Sequence, residues 1–478
     1  MLARRLGIDS GELLAAAAAV LSTLAIAAAA SSRFGLAGLL APLAIVVTLL
    51  LLSRPVEVVT LVVGLVIVCE GPTFGILTFT SHLYTKIYGD LGVLDVLVAV
   101  AVLAVGLDLL RSGRPLLIPG PLKLPSALLA LAMVAGFVTG HAAGASLRFV
   151  LASEDVLAFL LVLPIAVANL DIDRDRLAML LRGVVGLAIV KAVLGLLEIA
   201  GGYGQSIEPG ASLTYREPTS NWLVMIVLLA LFAAVLMRAR PPLWMLLGSP
   251  LLFASLLLSY RRSFWIAFVL AALLVLLLGL SPLGRRLLLP VAVGIATAIW
   301  LAGSVQFQSQ LPVVKRVASL QPSRVEANVE DRYRLDERAN VLGEIGRHPI
   351  TGLGMTIPWA ATDRPLPVEH EGGREYVHFA VLWFWLKLGI LGLFAYIGFV
   401  CGSVALAWRA WRGSREPTLK AFGLASLCGI VGIVVIETTA TFTGVDARFT
   451  VVLGVQVGLL ALLARSGDPL RSGGRLGA

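Results

Sequence analysis

Long apolar runs without charged side chains limit what this chain can fold into more than any other feature. Residues 13–30 and 269–280 are two examples. A soluble protein could not cover its surface, because only 14% of the 478 residues are charged, against roughly 25% in soluble globular proteins. Disordered chains have low hydrophobicity, and transmembrane β-barrels have short strands of alternating polarity. We therefore predict an all-α, polytopic transmembrane helix bundle.

A membrane span needs about 20 mostly apolar residues. The chain has 14 candidate runs, two of which are short, so we predict about 12–14 spans. The candidate runs are 13–30, 36–52, 56–79, 91–110, 124–140, 156–170, 177–200, 222–237, 243–259, 263–280, 287–303, 378–408, 420–441 and 448–464.

The distribution of Lys and Arg predicts the orientation, because cytoplasmic segments of membrane proteins are enriched in both. If the N-terminus is cytoplasmic and the spans alternate, the cytoplasmic segments hold 20 Lys and Arg residues and the short outer segments hold seven. This split predicts that both termini are cytoplasmic. It also accounts for the net charge of +9. A role in nucleic-acid binding is not indicated, since no basic stretch is interleaved with aromatic residues.

One connection is much longer than the others. It divides the chain into N-terminal transmembrane helices at 1–303, an extracytoplasmic loop at 304–377, and C-terminal helices with a cytoplasmic tail at 378–478. Within the loop, residues 331–347 have the spacing of an amphipathic helix. Its apolar face has Leu335, Ala339, Leu342 and Ile345, and its opposite face has Arg334, Glu337, Arg338 and Glu344. Such a helix could lie on the outer bilayer surface or pack over the bundle.

Arg261 and Arg262 form an arginine pair in a short turn between two apolar runs, on the predicted outer side. Guanidinium groups suit phosphate, because their planar donors can bind two oxygens at once. The alternative is that the pair only anchors the helix ends at the interface.

His378 begins the span that follows the long loop. An imidazole at this boundary could accept a proton from a hydroxyl group near neutral pH, or it could be structural. Other polar candidates on the predicted outer side are Arg216, Asn221, Arg347, His348 and His370.

The sequence does not predict a metal site or a cofactor. Asp171, Asp173 and Asp175 resemble an acidic metal-binding cluster, but they fall on the predicted cytoplasmic side and alternate with arginines, which is typical of a solvated turn. Cys69, Cys401 and Cys428 are isolated and have no metal-like spacing.

Four short motifs follow one another between about residue 200 and residue 464. They are Arg216 with Asn221 opening a helix, Arg262 in RRSFW, HPITGLG from His348 to Gly354, and His378 in a helix that continues to Gly389 and Gly392. In order and spacing they resemble the motifs of the O-antigen ligase and O-antigen polymerase superfamily of bacterial membrane glycosyltransferases. Phe379 and Lys387 depart from that pattern, since asparagine and glutamate are common at these positions.

This resemblance implies a GT-C-like enzyme in the bacterial inner (plasma) membrane, with its active site facing outward. The donor would be a glycan on a polyprenyl pyrophosphate, and the acceptor a hydroxyl group on a glycan or a lipid. Arg216 and Arg262, with Arg261 and Asn221 beside them, would bind the pyrophosphate. His378 would orient or deprotonate the acceptor, and Arg347, His348 and His370 would contact substrate. Neither nucleotide nor metal would be needed, because the donor already carries the energy.

The sequence leaves two questions open. A transporter of anions or lipid-linked saccharides could also place arginines on the outer side, without forming any bond. Ligase and polymerase share one chemistry and differ in the acceptor, which the sequence does not identify.

Overall fold

The structure is a computed structural model. It describes residues 48, 50–69, 83–84, 86–88, 91–201, 205–208, 211–213, 217–279, 329–367 and 373–466, with isolated positions between 286 and 297. The predicted run at 13–30, most of the runs at 36–52 and 287–303, and the end of the run at 56–79 therefore lie outside the described residues.

The regular secondary structure of the described residues is helical apart from two short antiparallel hairpins. The helices are α1 (Pro55–Val68), α2 (Val93–Ser112), α3 (Lys123–Ala142), α4 (Leu147–Ala168), α5 (Arg174–Ala200), α6 (Pro218–Leu236), α7 (Leu243–Leu258), α8 (Arg262–Leu278), α9 (Val329–Arg347), α10 (Ala380–Gly413), α11 (Pro417–Ile436) and α12 (Ala447–Ser466). The hairpins pair β1 (Lys86–Tyr88) with β2 (Leu91–Gly92), and β3 (Gln205–Glu208) with β4 (Ala211–Leu213).

Eight helices of the described chain are long and apolar enough to cross a membrane. They are α2, α3 with the short turn before it, α4, α5, α6, α10, α11 and α12, while α1, α7 and α8 are shorter apolar helices. This confirms the prediction of an all-α polytopic membrane bundle. The orientation of the bundle stays a prediction.

Local sequence explains where several helices begin. The side chains of Glu217 and Glu416 cap α6 and α11 by accepting the backbone N–H of the residue three positions later. Both are followed by proline, which fits the first helical position because it lacks the N–H that would be unpaired there. Asp173 caps α5 in the same way, accepting the N–H of Arg176 at 2.7 Å.

Two helices form the centre of the bundle. Nearly every residue of α6 is buried, and α12 is similarly enclosed, as expected of helices that are apolar on all sides. Helix α10 packs along α3, α11 and α12, and α12 packs along α4. Helices α8 and α6 both pack on α11. Phe264 in the first turn of α8 packs on Phe442 in the loop after α11, so the start of α8 lies near the end of α11.

Helix α9 lies where the sequence predicts an amphipathic helix, and it packs against the bundle beside α10. On its apolar face Ile345 is buried, whereas Leu335 and Leu342 are 45% and 43% exposed. On its charged face Glu337 and Glu344 are buried. Both carboxylates have partners: Glu337 contacts His378, and Glu344 pairs with Arg347 of the same helix.

Candidate functional site

Arg262 lies at the first position of α8 and contacts α9. One terminal nitrogen of its guanidinium donates to both carboxylate oxygens of Asp331, at 2.9 and 2.8 Å. Asp331 also pairs with Arg334, at 3.1 Å. The Arg262 and Asp331 side chains are only 13% and 11% exposed, so this ion pair is screened less than a surface pair.

His378 lies just before α10 and is held by α9 as well. Its ring Nδ1 is 3.1 and 3.0 Å from the two carboxylate oxygens of Glu337. Its backbone N–H donates to the same carboxylate at 2.9 Å. Both residues are buried, and the imidazole meets the rings of Tyr333 and Tyr376 edge-on, with centroids 5.8 and 4.9 Å away. The carboxylate therefore fixes the ring's position and orientation.

The segment that carries His378 is fixed from its other side by the loop after α11. The Tyr376 hydroxyl accepts the N–H of Thr441 at 2.8 Å and donates to its carbonyl at 3.2 Å. The N–H of Ala380 donates to the carbonyl of Glu437 at 3.0 Å. Burial raises the pKa of the Tyr376 phenol above its usual range. The phenol therefore stays neutral at physiological pH.

Arg261 faces the same loop. Its guanidinium lies over the ring of Phe442, 5.5 Å from the centroid, in a cation–π contact. The Phe442 ring in turn packs against Phe264, one turn into α8. Arg261 is also close enough to Tyr376 to interact with it electrostatically. The structure thus brings Arg261, Arg262 and His378 to one end of the bundle, around α9 and the loop after α11.

The HPITGLG segment has a structural role. Its backbone docks on the first third of α10, where the N–H of Leu353 donates to the carbonyl of Leu386 at 2.6 Å and the N–H of Ile390 donates to the carbonyl of Ile350 at 3.1 Å. Helix α10 is interrupted there at Gly389, which has a φ of +66°. A side chain at Gly389 would overlap the carbonyl of Ile350, and one at Gly354 would overlap the backbone of Gly140 in α3. Glycines are therefore required for this close backbone approach.

Arg347 and His348 lie away from His378. They are exposed at the end of α9, ten residues after Glu337, which is about 15 Å along a helix axis. Arg347 pairs with Glu344 at 3.1 Å and donates to the Thr362 hydroxyl at 3.0 Å. The structure does not bring these two residues together with the arginine pair or His378.

Three further candidates, Asn221, Arg216 and His370, are not placed at this site by the described contacts. Asn221 is buried in the first turn of α6, which begins at Pro218 rather than at Asn221, and its side-chain amide donates to the carbonyl of Glu217 at 3.0 Å. Glu217 pairs with Arg448 of α12 at 3.0 Å. Arg216 and His370 lie outside the described residues.

The acidic turn before α5 has structural partners. Asp173 caps the helix, and Asp171 lies 3.8 Å from Arg114. Among the described residues, no group of three or more histidine, cysteine or carboxylate side chains is arranged to hold a metal ion.

Sequence reasoning misses the carboxylates of the site. Asp331 and Glu337 lie on the charged face of the predicted amphipathic helix, where helical spacing alone predicts solvated side chains. Their burial depends on contacts with residues 69 positions before and 41 positions after them, and helical spacing cannot show such contacts. The sequence does contain one signal for these contacts. The charged face of α9 carries carboxylates, and Arg262 and His378 are candidate residues that need such partners.

The described arrangement can bind an anion and move a proton. Two arginines lie at one helix start, near an imidazole whose Nδ1 is engaged by a buried carboxylate. Such a carboxylate fixes the tautomer of the ring and stabilises its protonated form.

Comparison with known proteins gives a family match over the middle of the chain. Residues 247–397 match the family model described as O-Antigen ligase. The match begins in α7 and ends in α10, so it includes the arginine pair, α9 and His378. No curated protein matches the chain. Over residues 247–397 the match agrees with the resemblance to O-antigen ligases that the sequence motifs indicate.

Proposed function

We propose that this protein transfers a glycan from a polyprenyl-pyrophosphate donor to an acceptor hydroxyl group, at the outer face of the bacterial inner membrane. The observation that carries the proposal is that α9 contacts both groups: Glu337 holds His378, and Asp331, six residues earlier, pairs with Arg262 at the start of α8. A general base and a pyrophosphate-binding pair are the two functions that this reaction needs.

The bonds and protons of the reaction balance without a cofactor. The acceptor oxygen attacks the anomeric carbon of the donor sugar, and the glycosidic C–O bond to the pyrophosphate breaks. The hydroxyl proton passes to His378, which later releases it to water. The pyrophosphate leaves on its polyprenyl carrier, and Arg262 stabilises its developing charge. Because Nδ1 of His378 is engaged with Glu337, the proton transfer would use Nε2.

Helix α9 covers the proposed substrate-binding groups. Asp331 contacts Arg262, and Glu337 contacts His378. A pyrophosphate that binds Arg262 must displace or share the Asp331 carboxylate. We therefore propose that α9 moves at its Asp331 end when the donor binds, while its Glu337 end keeps the imidazole in place.

The test is covalent transfer by the purified protein in detergent. A polyprenyl-pyrophosphate donor with a labelled glycan is incubated with candidate acceptors, and the labelled product is separated from the donor. We expect a new covalent product, formed equally well with excess EDTA. Loss of the product in EDTA, with recovery on adding magnesium or manganese, would contradict metal independence.

A transporter is the second candidate, because the same arginines could bind an anionic substrate without bond formation. The pairing of His378 with Glu337 favours the enzyme, since an anion site alone does not need an oriented imidazole. Uptake of labelled saccharide into proteoliposomes without any covalent product would favour the transporter.

A further inference from the structure

A cavity of about 280 Å³ lies between α5, α6, α7, α11 and α12, away from the candidate site. Along α6 its lining extends from Trp222 to Ala234, which is about 18 Å by the helical rise. This is slightly more than half of the roughly 30 Å hydrocarbon thickness of a bilayer. The length of the cavity therefore fits an acyl chain from one leaflet.

The deep part of the cavity is suited to an apolar occupant. The indole N–H of Trp222 donates to Gln456 at 2.9 Å, and the Gln456 amide donates to Ser426 at 2.9 Å. The polar side chains at this depth are therefore already paired with one another. Most of the remaining lining is aliphatic, and Ala230 leaves space at the middle of α6.

The other end of the cavity is cationic. Arg182 and Arg240 line it there and are exposed, and neither side chain forms a hydrogen bond or ion pair with another described residue. Glu416 is also part of the lining, but its carboxylate accepts the N–H of Leu419 at 2.6 Å and caps α11. Two arginines above an apolar channel are complementary to a phosphate headgroup with an acyl chain.

This mouth is far from the candidate site. Glu416 precedes α11, whereas Glu437, beside His378, follows it. The 20 residues of α11 span about 30 Å, so the mouth opens at the opposite end of the bundle.

We propose that this cavity binds an acidic glycerophospholipid, with its phosphate on Arg182 and Arg240 and one acyl chain along α6. The headgroup lies at the end of the bundle where a leaflet places its phosphates, and the chain reaches toward Trp222. The site is separate from the proposed donor site, and it ties α5, α6 and α11 to the surrounding leaflet.

The experiment uses photo-crosslinking in the full-length protein. The protein is reconstituted in phosphatidylcholine nanodiscs with a trace of phosphatidylglycerol carrying a diazirine on one acyl chain. A phosphatidylcholine with the same modified chain is the control probe. Crosslinked peptides are identified by mass spectrometry. We expect the phosphatidylglycerol probe to label α6 roughly 10- to 30-fold more than the control probe.

Three variants locate the headgroup and the chain. The double variant Arg182→Gln/Arg240→Gln should reduce α6 labelling by phosphatidylglycerol to the control level. Arg409→Gln, an exposed arginine at the same end of the bundle but outside the cavity, should leave it unchanged. Ala230→Phe should abolish α6 labelling while the thermal unfolding of the protein stays near wild type.

Two results would overturn the proposal. Equal α6 labelling by the two probes, unaffected by the double variant, would mean that only bulk lipid contacts this surface. Displacement of the probe by polyprenyl phosphate at lower concentrations than unlabelled phosphatidylglycerol would mean that the cavity takes the carrier lipid instead.

Discussion

Glu337 holds His378 through two different groups, the backbone N–H at 2.9 Å and ring Nδ1 at 3.0 Å. A carboxylate that binds both the backbone and the ring of one histidine leaves the imidazole little freedom to rotate. Glu337 is fully buried, and in the proposed reaction its carboxylate would lie beside the charge that the imidazole gains when it accepts a proton. Glu337 is therefore a positioning residue for His378 in the proposed reaction.

Replacing Glu337 by glutamine should slow transfer without removing donor binding. The amide keeps the size of the side chain but loses the charge that stabilises the imidazolium. We expect a fall in the single-turnover rate within the roughly 10²–10⁴-fold that a general base supplies, together with a change in the pH profile of the rate. Glu344→Gln is the matched control, because Glu344 is buried on the same helix but pairs with Arg347. Equal defects in both variants would indicate a purely structural role.

Replacing Asp331 by asparagine should tighten donor binding. In the described arrangement the Asp331 carboxylate contacts Arg262, and it would compete with an incoming pyrophosphate. We expect a gain of about 3- to 10-fold in donor affinity, measured as a Kd for the lipid-linked donor at fixed salt. Asp336→Asn is the control, because Asp336 pairs with Arg332 and Arg364 instead. Weaker binding in Asp331→Asn would mean that Asp331 holds Arg262 in its active position.

The helices of this chain could largely be predicted from sequence, because lipid-facing helices need continuous apolar runs and because Pro218 and Pro417 mark helix starts. The arginine pair and His378 could also be singled out, since they interrupt or border apolar runs on the predicted outer side, where Lys and Arg are few. The pairing of Glu337 with His378 could not be predicted from sequence, because it joins residues 41 positions apart.

Two further features depend on tertiary contacts in the same way. The buried direction of the α9 carboxylates follows from their partners on α8 and before α10, which amphipathic spacing does not identify. The interruption of α10 at Gly389 follows from the docked HPITGLG segment, and a glycine within an apolar run is equally compatible with an uninterrupted helix.

Replacing Gly389 by alanine should destabilise the protein. The residue has a φ of +66°, and an added methyl group would overlap the carbonyl of Ile350. We expect a loss of about 1–3 kcal/mol in unfolding free energy, seen as a lower thermal unfolding midpoint in detergent. Gly106→Ala in α2 is the control, since no atom lies within 4 Å of the position that its added methyl group would occupy. If both variants unfold at the wild-type temperature, the proposed docking contact does not constrain α10.

The orientation of the bundle can be tested with two cysteines in a background lacking Cys69, Cys401 and Cys428. The side chains of Arg332 and Asp171 are 68% and 72% exposed, and the charge distribution predicts that they lie on opposite sides of the membrane. An impermeant maleimide should label Arg332→Cys in intact spheroplasts and Asp171→Cys only after lysis. The reverse pattern would place the candidate site in the cytoplasm and contradict the proposed reaction.

Variants of Arg262 and His378 should affect different steps, donor binding and glycan transfer respectively. Arg262→Lys keeps the charge but loses the planar donor group, so we expect donor affinity to fall by about 10- to 100-fold. The control is Arg334→Lys, which alters the other arginine on Asp331 and should bind donor nearly normally. Full donor affinity in Arg262→Lys would contradict the assignment of the pyrophosphate contact.

Single-turnover transfer by His378→Ala tests the central claim most directly. The purified variant is saturated with labelled polyprenyl-pyrophosphate-linked glycan, its donor affinity is measured, and formation of the covalent product is then followed after acceptor is added. We predict near-normal donor affinity with transfer slowed roughly 10²–10⁴-fold. Transfer at the wild-type rate would contradict the assignment of His378 as the base.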